Sequence, residues 1–222
     1  MRMDLAKFKD IHKGETCVII GNGPSLKLAD IAQLQYKTFG SNGIYRLPFT
    51  PTYYSLVDKE MMDVCLPLPY YFTPQELFIR AEARVLGNNP IYPIVAAGFS
   101  RNIDNFVIMG GTVTYVLFQL AYYMGFTTLL LLGIDHNYPK AGEMKPGSQF
   151  IAGSVDPDHF KPLDGQPYFE AGKKYNAPEL ERVTTSYNWA NELFKLEGRR
   201  IINLTPNTKL DVFERGSIEE WA

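Results

Sequence analysis

The chain has 222 residues, carries 22 Lys and Arg against 24 Asp and Glu, and is 45% hydrophobic. This length is typical of one domain, with room for a modest insertion, and it allows a full core without disulfides or metals. The near-neutral charge argues against a nucleic-acid-binding surface, because phosphate backbones select a basic face, and the globular composition excludes disorder.

Short apolar strands and helices alternate through the first half of the chain. An amphipathic N-terminal pattern places Leu5, Phe8 and Ile11 on one helix face. Two prolines between residues 90 and 96 indicate an edge strand. We predict helices at residues 4–12, 26–34 and 76–86, and strands at 16–20, 37–39, 52–57 and 90–96.

The second half begins with an apolar stretch at residues 113–134, which is about long enough to cross a membrane. Gly125 and the three residues after it divide this stretch, which favours a buried helix followed by a short core strand. Asn176 can cap a long amphipathic helix with Pro178 in its first turn. We predict helices at 112–124 and 176–196, and strands at 128–132 and 200–204.

A polar stretch at about residues 137–176 is too long for a structureless connection in a compact domain. We interpret it as a lid-like or substrate-binding insertion. The alternation of strands and helices predicts an α/β fold that is Rossmann-like, with a mostly parallel sheet and helices on both faces. Residues 1–222 then form a single nucleotide-binding domain.

The N-terminal seven residues lack the apolar core of a signal peptide. Cys17 and Cys65 show neither a CxxC nor a zinc spacing. We therefore expect a cytoplasmic protein with reduced thiols.

Ligands of a parallel α/β sheet bind beyond the carboxyl ends of its strands, and the loops there are small, polar and glycine-rich. They comprise residues 21–25, 41–43, 58–59, 133–136 and 205–207. The run Gly21-Asn22-Gly23-Pro24-Ser25 is the sharpest signal, because glycine lets a backbone approach a ligand. A plain turn is the alternative, but the amide of Asn22 can donate and accept toward a ligand.

Two common nucleotide motifs do not fit this loop. Leu26 replaces the third glycine of the dinucleotide fingerprint, and Asn42 ends the second strand where NAD-binding proteins carry an acid. The Lys-Ser/Thr pair of a P-loop is also missing.

Two further candidate ligand-binding positions lie at the start of the helix predicted at 112–124 and just after the strand predicted at 128–132. Gly111 and Thr112 start a helix, where Thr112 is either an N-cap alone or a cap that also touches a ligand. Asp135 follows the most apolar strand, and this position favours ligand binding over capping of the next turn.

The chain has three histidines, so the candidates for general acid–base work are few. His12 falls in the N-terminal helix and is expected to be exposed, which leaves His136 and His159. Tyr138, Tyr168 and Tyr175 flank the insertion and can either hydrogen-bond a departing phosphate or pack it. The sequence has no GxSxG, no zinc-spaced histidine pair, and an Asp-Pro-Asp run only within the insertion.

Several of these pieces, in this order, resemble the MptE-like domain family over nearly the whole chain. The most specific is Gly21-Asn22-Gly23-Pro24-Ser25-Leu26. Others are Ser41-Asn42-Gly43, Val57-Asp58, Gly111-Thr112-Val113, Gly133-Ile134-Asp135-His136 and Thr205-Pro206-Asn207. The family includes an archaeal enzyme that transfers diphosphate from ATP to 6-hydroxymethyl-tetrahydropterin, and Maf-type flagellin glycosylation proteins.

The same elements are similar to bacterial sialyltransferases that use CMP-sialic acid. That resemblance implies that Asn22 and Asn42 hold CMP and, more loosely, that Thr112 touches the nucleotide. It also implies a histidine base on the acceptor hydroxyl and two tyrosines that assist the leaving phosphate, without a required metal. Asp58 stands where the sialyltransferases have Asn.

We therefore expect a nucleotide-dependent transferase, in the first place a CMP-sugar (sialic-acid-like) glycosyltransferase of surface glycan synthesis that needs no cofactor. The predicted catalytic residues are His159, His136 as the reserve base, Tyr138 and Tyr168. The predicted nucleotide-binding residues are Gly21, Asn22, Gly23, Pro24, Ser25, Asn42, Asp58, Gly111, Thr112, Asp135, Pro206 and Asn207.

Two alternatives stay open: an MptE-like diphosphokinase with Mg²⁺ on Asp58 and Asp135, and a non-catalytic nucleotide-binding module. The expected partners are a nucleotide-activated donor (a CMP-sugar, or ATP) and a small-molecule or glycan acceptor, with no nucleic acid. We expect a homo-oligomer, and peripheral membrane association is left open.

Overall fold

The computed structural model describes residues 5–66, 68, 74–80, 88–139 and 144–222. Its strands are β1 (Thr16–Ile20), β2 (Lys37–Ser41), β3 (Tyr53–Leu56), β4 (Glu76–Arg80), β5 (Asn88–Ile91), β6 (Pro93–Ile94), β7 (Val107–Ile108), β8 (Thr128–Leu132), β9 (Gln149–Ile151), β10 (Lys174–Asn176), β11 (Arg200–Asn203) and β12 (Glu214–Arg215). Its α-helices are α1 (Leu28–Gln33), α2 (Lys59–Cys65), α3 (Val113–Tyr123) and α4 (Leu180–Leu196). Short 3-10 helices cover Leu5–Phe8, Asn42–Arg46 and Ile218–Glu220.

The main sheet has eight strands in the order β12-β11-β8-β1-β2-β3-β4-β5, and every neighbouring pair is parallel. The chain moves outward from β1 to β5 and then returns to place β8 on the other side of β1. Strand order therefore reverses between β1 and β8, and ligands of such sheets bind at this switch point. The predicted parallel α/β fold is confirmed.

The sheet is covered on both faces, and this explains why the sequence of the central strand β1 is continuously apolar. In β1, Cys17 and Ile19 join the core formed with α3 and α4, while Val18 and Ile20 join the core on the opposite face. That second core takes in Ile31 of α1, residues of α2, and residues of the insertion. Because neither face of such a strand contacts solvent, its apolar residues do not alternate with polar ones.

Several predicted elements have the bounds that the structure shows. The central strands β1 and β8 match residue for residue. Helix α3 lies within the predicted range, with Thr112 as its N-cap. The stretch at 113–134 is thus a helix and a strand, and no helix that the structure describes combines the length and hydropathy needed to span a bilayer.

The predicted helix at 76–86 is wrong in its first part, because residues 76–80 form β4, which lies between β3 and β5 in the main sheet. Three apolar residues in a row, Leu77, Phe78 and Ile79, fit a strand that is covered on both faces, and this burial overrides local helix preference. Residues 81–86 lie outside the described residues. Helix α2 and strand β12 were not predicted.

The predicted start of α4 and the predicted N-terminal helix are also wrong. Asn176 does not cap α4, because it pairs with Gln149 in the β9–β10 ladder, and α4 begins four residues later with Glu179 at the N-cap position. The N-terminal segment forms only a 3-10 turn over Leu5–Phe8. Ile11 is exposed there, whereas His12 is buried and bonds the Tyr53 hydroxyl through Nε2 at 2.5 Å.

Candidate functional site

The loops after β1 and β8 meet so closely at the switch point that two glycines are required. Gly21 donates from its amide to the Leu132 oxygen at 2.8 Å, and Gly23 donates to the Gly133 oxygen at 2.9 Å. A Cβ on Gly21 would lie 2.3 Å from the Gly133 oxygen, and one on Gly23 would lie 1.9 Å from Oδ2 of Asp135. The Gly-x-Gly pattern is therefore explained by close approach of two backbones.

Asp135 fastens the β8 loop to the β1 loop. Its Oδ2 accepts a hydrogen bond from the Ser25 hydroxyl at 2.8 Å and a longer one from the Ser25 amide at 3.4 Å. Burial raises the pKa of Asp135, although the two bonds from Ser25 oppose that rise. Ser25 thus acts on the site by orienting this carboxylate.

A cavity of about 500 Å³ opens above these loops. Two asparagines present unpaired acceptors there: Oδ1 of Asn22 and Oδ1 of Asn42 are buried and have no hydrogen-bond partner. Asn42 has φ +50°, a left-handed conformation that asparagine tolerates, and its backbone oxygen accepts from the Tyr54 hydroxyl. Since buried polar atoms are nearly always paired, these two oxygens are suited to accept from a ligand.

The N-terminus of α3 forms another wall of the cavity. Gly110 and Gly111 have φ values of +57° and +84°, which turn the chain into the helix. Thr112 is the N-cap, with its hydroxyl accepting from the Thr114 amide at 3.3 Å. The predicted cap is therefore present, and Gly111 and Thr112 also line the cavity.

Residues of the insertion line the cavity, and His159 is one of them. The His159 ring bonds Asp156 through Nδ1 at 3.0 Å and stacks on Tyr168, with centroids 4.1 Å apart and planes 5° apart. Burial alone would raise the pKa of Asp156, but its bonds with His159 hold that pKa below the usual range. An ionised Asp156 only accepts, so Nδ1 of His159 carries the proton of this hydrogen bond.

His136 has a different environment from His159. Its backbone is left-handed at φ +49°, and its Nε2 lies 3.0 Å from the Thr184 hydroxyl. Burial lowers the pKa of His136, which favours the neutral ring. Nearby, burial raises the pKa of Tyr138 to about 12, so this phenol is a hydrogen-bond donor at neutral pH.

The structure brings most of the predicted site residues around one cavity. Those that line it are Gly21, Asn22, Gly23, Asn42, Asp58, Gly111, Thr112, Asp135, His136, Tyr138, His159 and Tyr168. Pro24, Ser25, Pro206 and Asn207 do not line it. Pro206 and Asn207 lead to Thr208, whose hydroxyl donates to the Ile134 oxygen at 2.7 Å and so supports the β8 loop.

Sequence reasoning missed several residues of the cavity wall. Arg182 lies in the first turn of α4 and pairs with Glu179 at 2.9 Å. Phe150 and Phe169 form an aromatic wall within the insertion, with centroids 5.9 Å apart. The spacing of three between Glu179 and Arg182, at a helix start just after the insertion, was the available sequence signal for that pair. No local sequence pattern indicates that Phe150 and Phe169 line the cavity.

The carboxylates of the cavity do not form a metal cluster in the described part of the chain, which holds no group of three or more His, Cys, Asp or Glu placed to bind an ion. Asp58 and Asp135 line the cavity separately, and Ser25 already engages Asp135. Mg²⁺ usually takes one or two carboxylates plus substrate phosphates. Asp58, with Glu60 also on the wall, therefore fits Mg²⁺ only together with a bound polyphosphate.

We expect Asp58→Asn to stabilise the protein at pH 8 and to have little effect near pH 4. Burial, with a smaller contribution from Glu60, raises the pKa of Asp58 to about 6. The folded state therefore binds this proton more tightly than the unfolded state, and stability is lost as pH rises from about 4 through 6. The gain at pH 8 is on the order of 2 kcal/mol, measured by urea unfolding.

Asp63→Asn is the matched control, because Asp63 is exposed on the same helix α2. It should change stability little at either pH. Equal stabilisation by Asp58→Asn at pH 4 and pH 8 would contradict the assigned proton affinity of Asp58.

Comparison with known proteins adds a likeness of fold. No protein-family model matches the sequence, and no curated protein matches it either. The fold resembles that of a bacterial sialyltransferase. The sialyltransferase CstII from Campylobacter jejuni, whose structure contains the substrate analogue cytidine-5'-monophosphate, matches with a TM-score of 0.52 and 13% identity. The match covers 91% of this chain and 85% of CstII, and at this identity it shows the fold alone.

Proposed function

We propose that the protein is a nucleotide-dependent transferase that uses a CMP-activated, sialic-acid-like sugar as donor. The observation that carries this proposal is the pair of buried, unpaired amide oxygens of Asn22 and Asn42 at the switch-point cavity. They can accept from ligand amines or hydroxyls, and the adjacent loop amides can hold phosphate oxygens. The fold likeness to a sialyltransferase structure that contains CMP supports the choice of nucleotide.

The proposed reaction transfers one proton from the acceptor hydroxyl and releases one leaving group, CMP. An acceptor hydroxyl attacks the anomeric carbon of the donor and gives its proton to Nε2 of His159. The bond between that carbon and the phosphate oxygen breaks, and CMP leaves with the electron pair. Such base catalysis is typically worth about 10²–10⁴-fold.

The tyrosines supply hydrogen bonds to the departing phosphate in this proposal. Tyr168 accepts from the Gly43 amide at 3.0 Å, so its own proton stays available for donation. Burial raises the pKa of Tyr168 well above its usual value, as it does for Tyr138, and both phenols remain protonated at neutral pH. Uncharged donors of this kind stabilise a developing negative charge in a site that excludes water.

A thermal-shift panel of CMP, CDP, UDP, GDP, ATP and SAM, with and without Mg²⁺, tests this function. We expect CMP to raise the melting temperature in the presence of EDTA, because a ligand that binds only the folded state stabilises it by mass action. Asn22→Ala should reduce the CMP shift, since it removes one of the two acceptors. Asn188→Ala, on the exposed face of α4, is the control that should leave the shift intact.

Nucleotide preference in this panel and a separate assay of CMP release distinguish the competing functions. A diphosphokinase would respond to ATP and require Mg²⁺, which contradicts the proposal. A non-catalytic module would bind CMP but release none from a CMP-sugar in the presence of any acceptor hydroxyl.

A further inference from the structure

Arg46 links the 3-10 helix after β2 to the insertion that carries His159. Its guanidinium is largely buried and donates through Nη1 to the backbone oxygens of Pro167 at 2.8 Å and Tyr168 at 3.1 Å. Nη2 donates to Gln166 O at 3.3 Å and to both oxygens of Asp164 at 2.7 and 2.9 Å. One side chain thus holds four residues of the insertion, Asp164, Gln166, Pro167 and Tyr168, against the 3-10 helix that follows β2.

The segment that carries Arg46 also contains Asn42, which lines the cavity. The 3-10 helix begins at Asn42, whose Oδ1 is buried without a hydrogen-bond partner, and ends at Arg46. Between them, the Gly43 amide donates to the Tyr168 hydroxyl at 3.0 Å. A Cβ on Gly43 would lie 2.1 Å from the Tyr168 ring, so the ring is seated directly on this turn.

Tyr168 in turn holds His159 through ring stacking. The two rings stack face to face, and the next residue, Phe160, donates from its amide to the Asn22 backbone oxygen at 3.0 Å. The imidazole is therefore held from one side by the β1 loop and from the other by a tyrosine whose backbone and hydroxyl both bond the 3-10 helix.

We propose that Arg46 is a positioning residue that holds the stacked Tyr168 and His159 rings over the cavity. This inference rests on the proposed function for its effect on turnover, but its geometric content is independent of the donor. Displacement of a reacting group by about 1 Å can cost about 10²-fold in rate. Arg46→Ala should therefore lower turnover about 10²-fold.

The backbone contacts, rather than the ion pair, carry this role. Asp164 is about half exposed, with 54% of its side chain accessible, and exposed ion pairs contribute little. A planar guanidinium can reach several acceptors at once, whereas a lysine ammonium is a compact charge. Arg46→Lys should therefore behave like Arg46→Ala, and Asp164→Asn should behave like the wild type.

Proton NMR of the three histidine rings tests the positioning directly and needs no turnover. Signals are assigned by the loss of one resonance set in His159→Asn. We expect Arg46→Ala and Arg46→Lys to move the His159 ring protons toward unfolded-chain positions, because the stacked Tyr168 ring shifts away. The His12 signals, on the far side of the sheet core, should stay in place in both variants.

Arg200→Lys is the matched control, because Arg200 also pairs with a carboxylate, Glu214 at 2.6 Å, but is exposed and remote from the insertion. It should move none of the three signal sets. Unchanged His159 signals in folded Arg46→Lys would overturn the proposal, and that variant decides the matter if Arg46→Ala does not fold. If wild-type protein turns over no CMP-sugar, the proposed function fails, while the spectra still support or overturn the role of Arg46.

Discussion

His159→Asn should reduce transfer from a CMP-sugar by about 10²–10⁴-fold and leave the Kd for CMP nearly unchanged, which is the range expected for loss of a general base. An asparagine amide at this position can still donate to Asp156, as Nδ1 of the histidine does at 3.0 Å. The variant thus preserves the local hydrogen bond and removes the acceptor Nε2. Initial rates of CMP release, together with CMP binding measured calorimetrically, check the result.

His136→Asn is the comparison that separates the two candidate bases. His136 occupies a left-handed backbone conformation, and asparagine is one of the residues that tolerate it. The change therefore removes an imidazole without imposing backbone strain. A loss of rate in His136→Asn with full activity in His159→Asn would reverse the assignment of the base.

The parts of the site that sequence could predict are those encoded within a few residues of a strand end. The Gly21–Ser25 loop and Asp135 follow β1 and β8 directly, and parallel neighbours bring their carboxyl ends to the same place. Sequence therefore predicted their proximity. It did not predict that Ser25 would bond Asp135, because that contact joins residues 110 positions apart.

The insertion shows the limit of such reasoning. Its strands β9 and β10 are short, and its position depends on long-range contacts such as Arg46 with Asp164, which are 118 residues apart. No periodic pattern encodes contacts of that kind. The same holds for His12, which is buried because its ring stacks on Phe126 and bonds Tyr53, not because of any feature near it in sequence.

Gln119→Leu should destabilise the fold by about 3–5 kcal/mol, because Gln119 is fully buried in α3 and uses every hydrogen-bonding position of its amide. Oε1 accepts from the Ser100 and Ile108 amides at 3.1 and 2.8 Å. Nε2 donates to the Ile108 and Tyr115 oxygens at 2.8 and 2.9 Å. Leucine fills a similar volume but satisfies none of these groups. Urea unfolding monitored by tryptophan fluorescence measures the loss.

The expected size follows from which groups lose their partners. Ser100 N and both backbone groups of Ile108 would be buried without a hydrogen bond, at about 1–3 kcal/mol each. Gln33→Leu is the matched control, since Gln33 also bonds a backbone oxygen, Ala29 at 3.1 Å, but on an exposed surface. Its effect should stay within about 0.5 kcal/mol. A comparably small effect of Gln119→Leu would mean that β7 does not depend on α3 for its position. The cavity wall at Met109, Gly111 and Thr112, which joins β7 to α3, would then be held by packing alone.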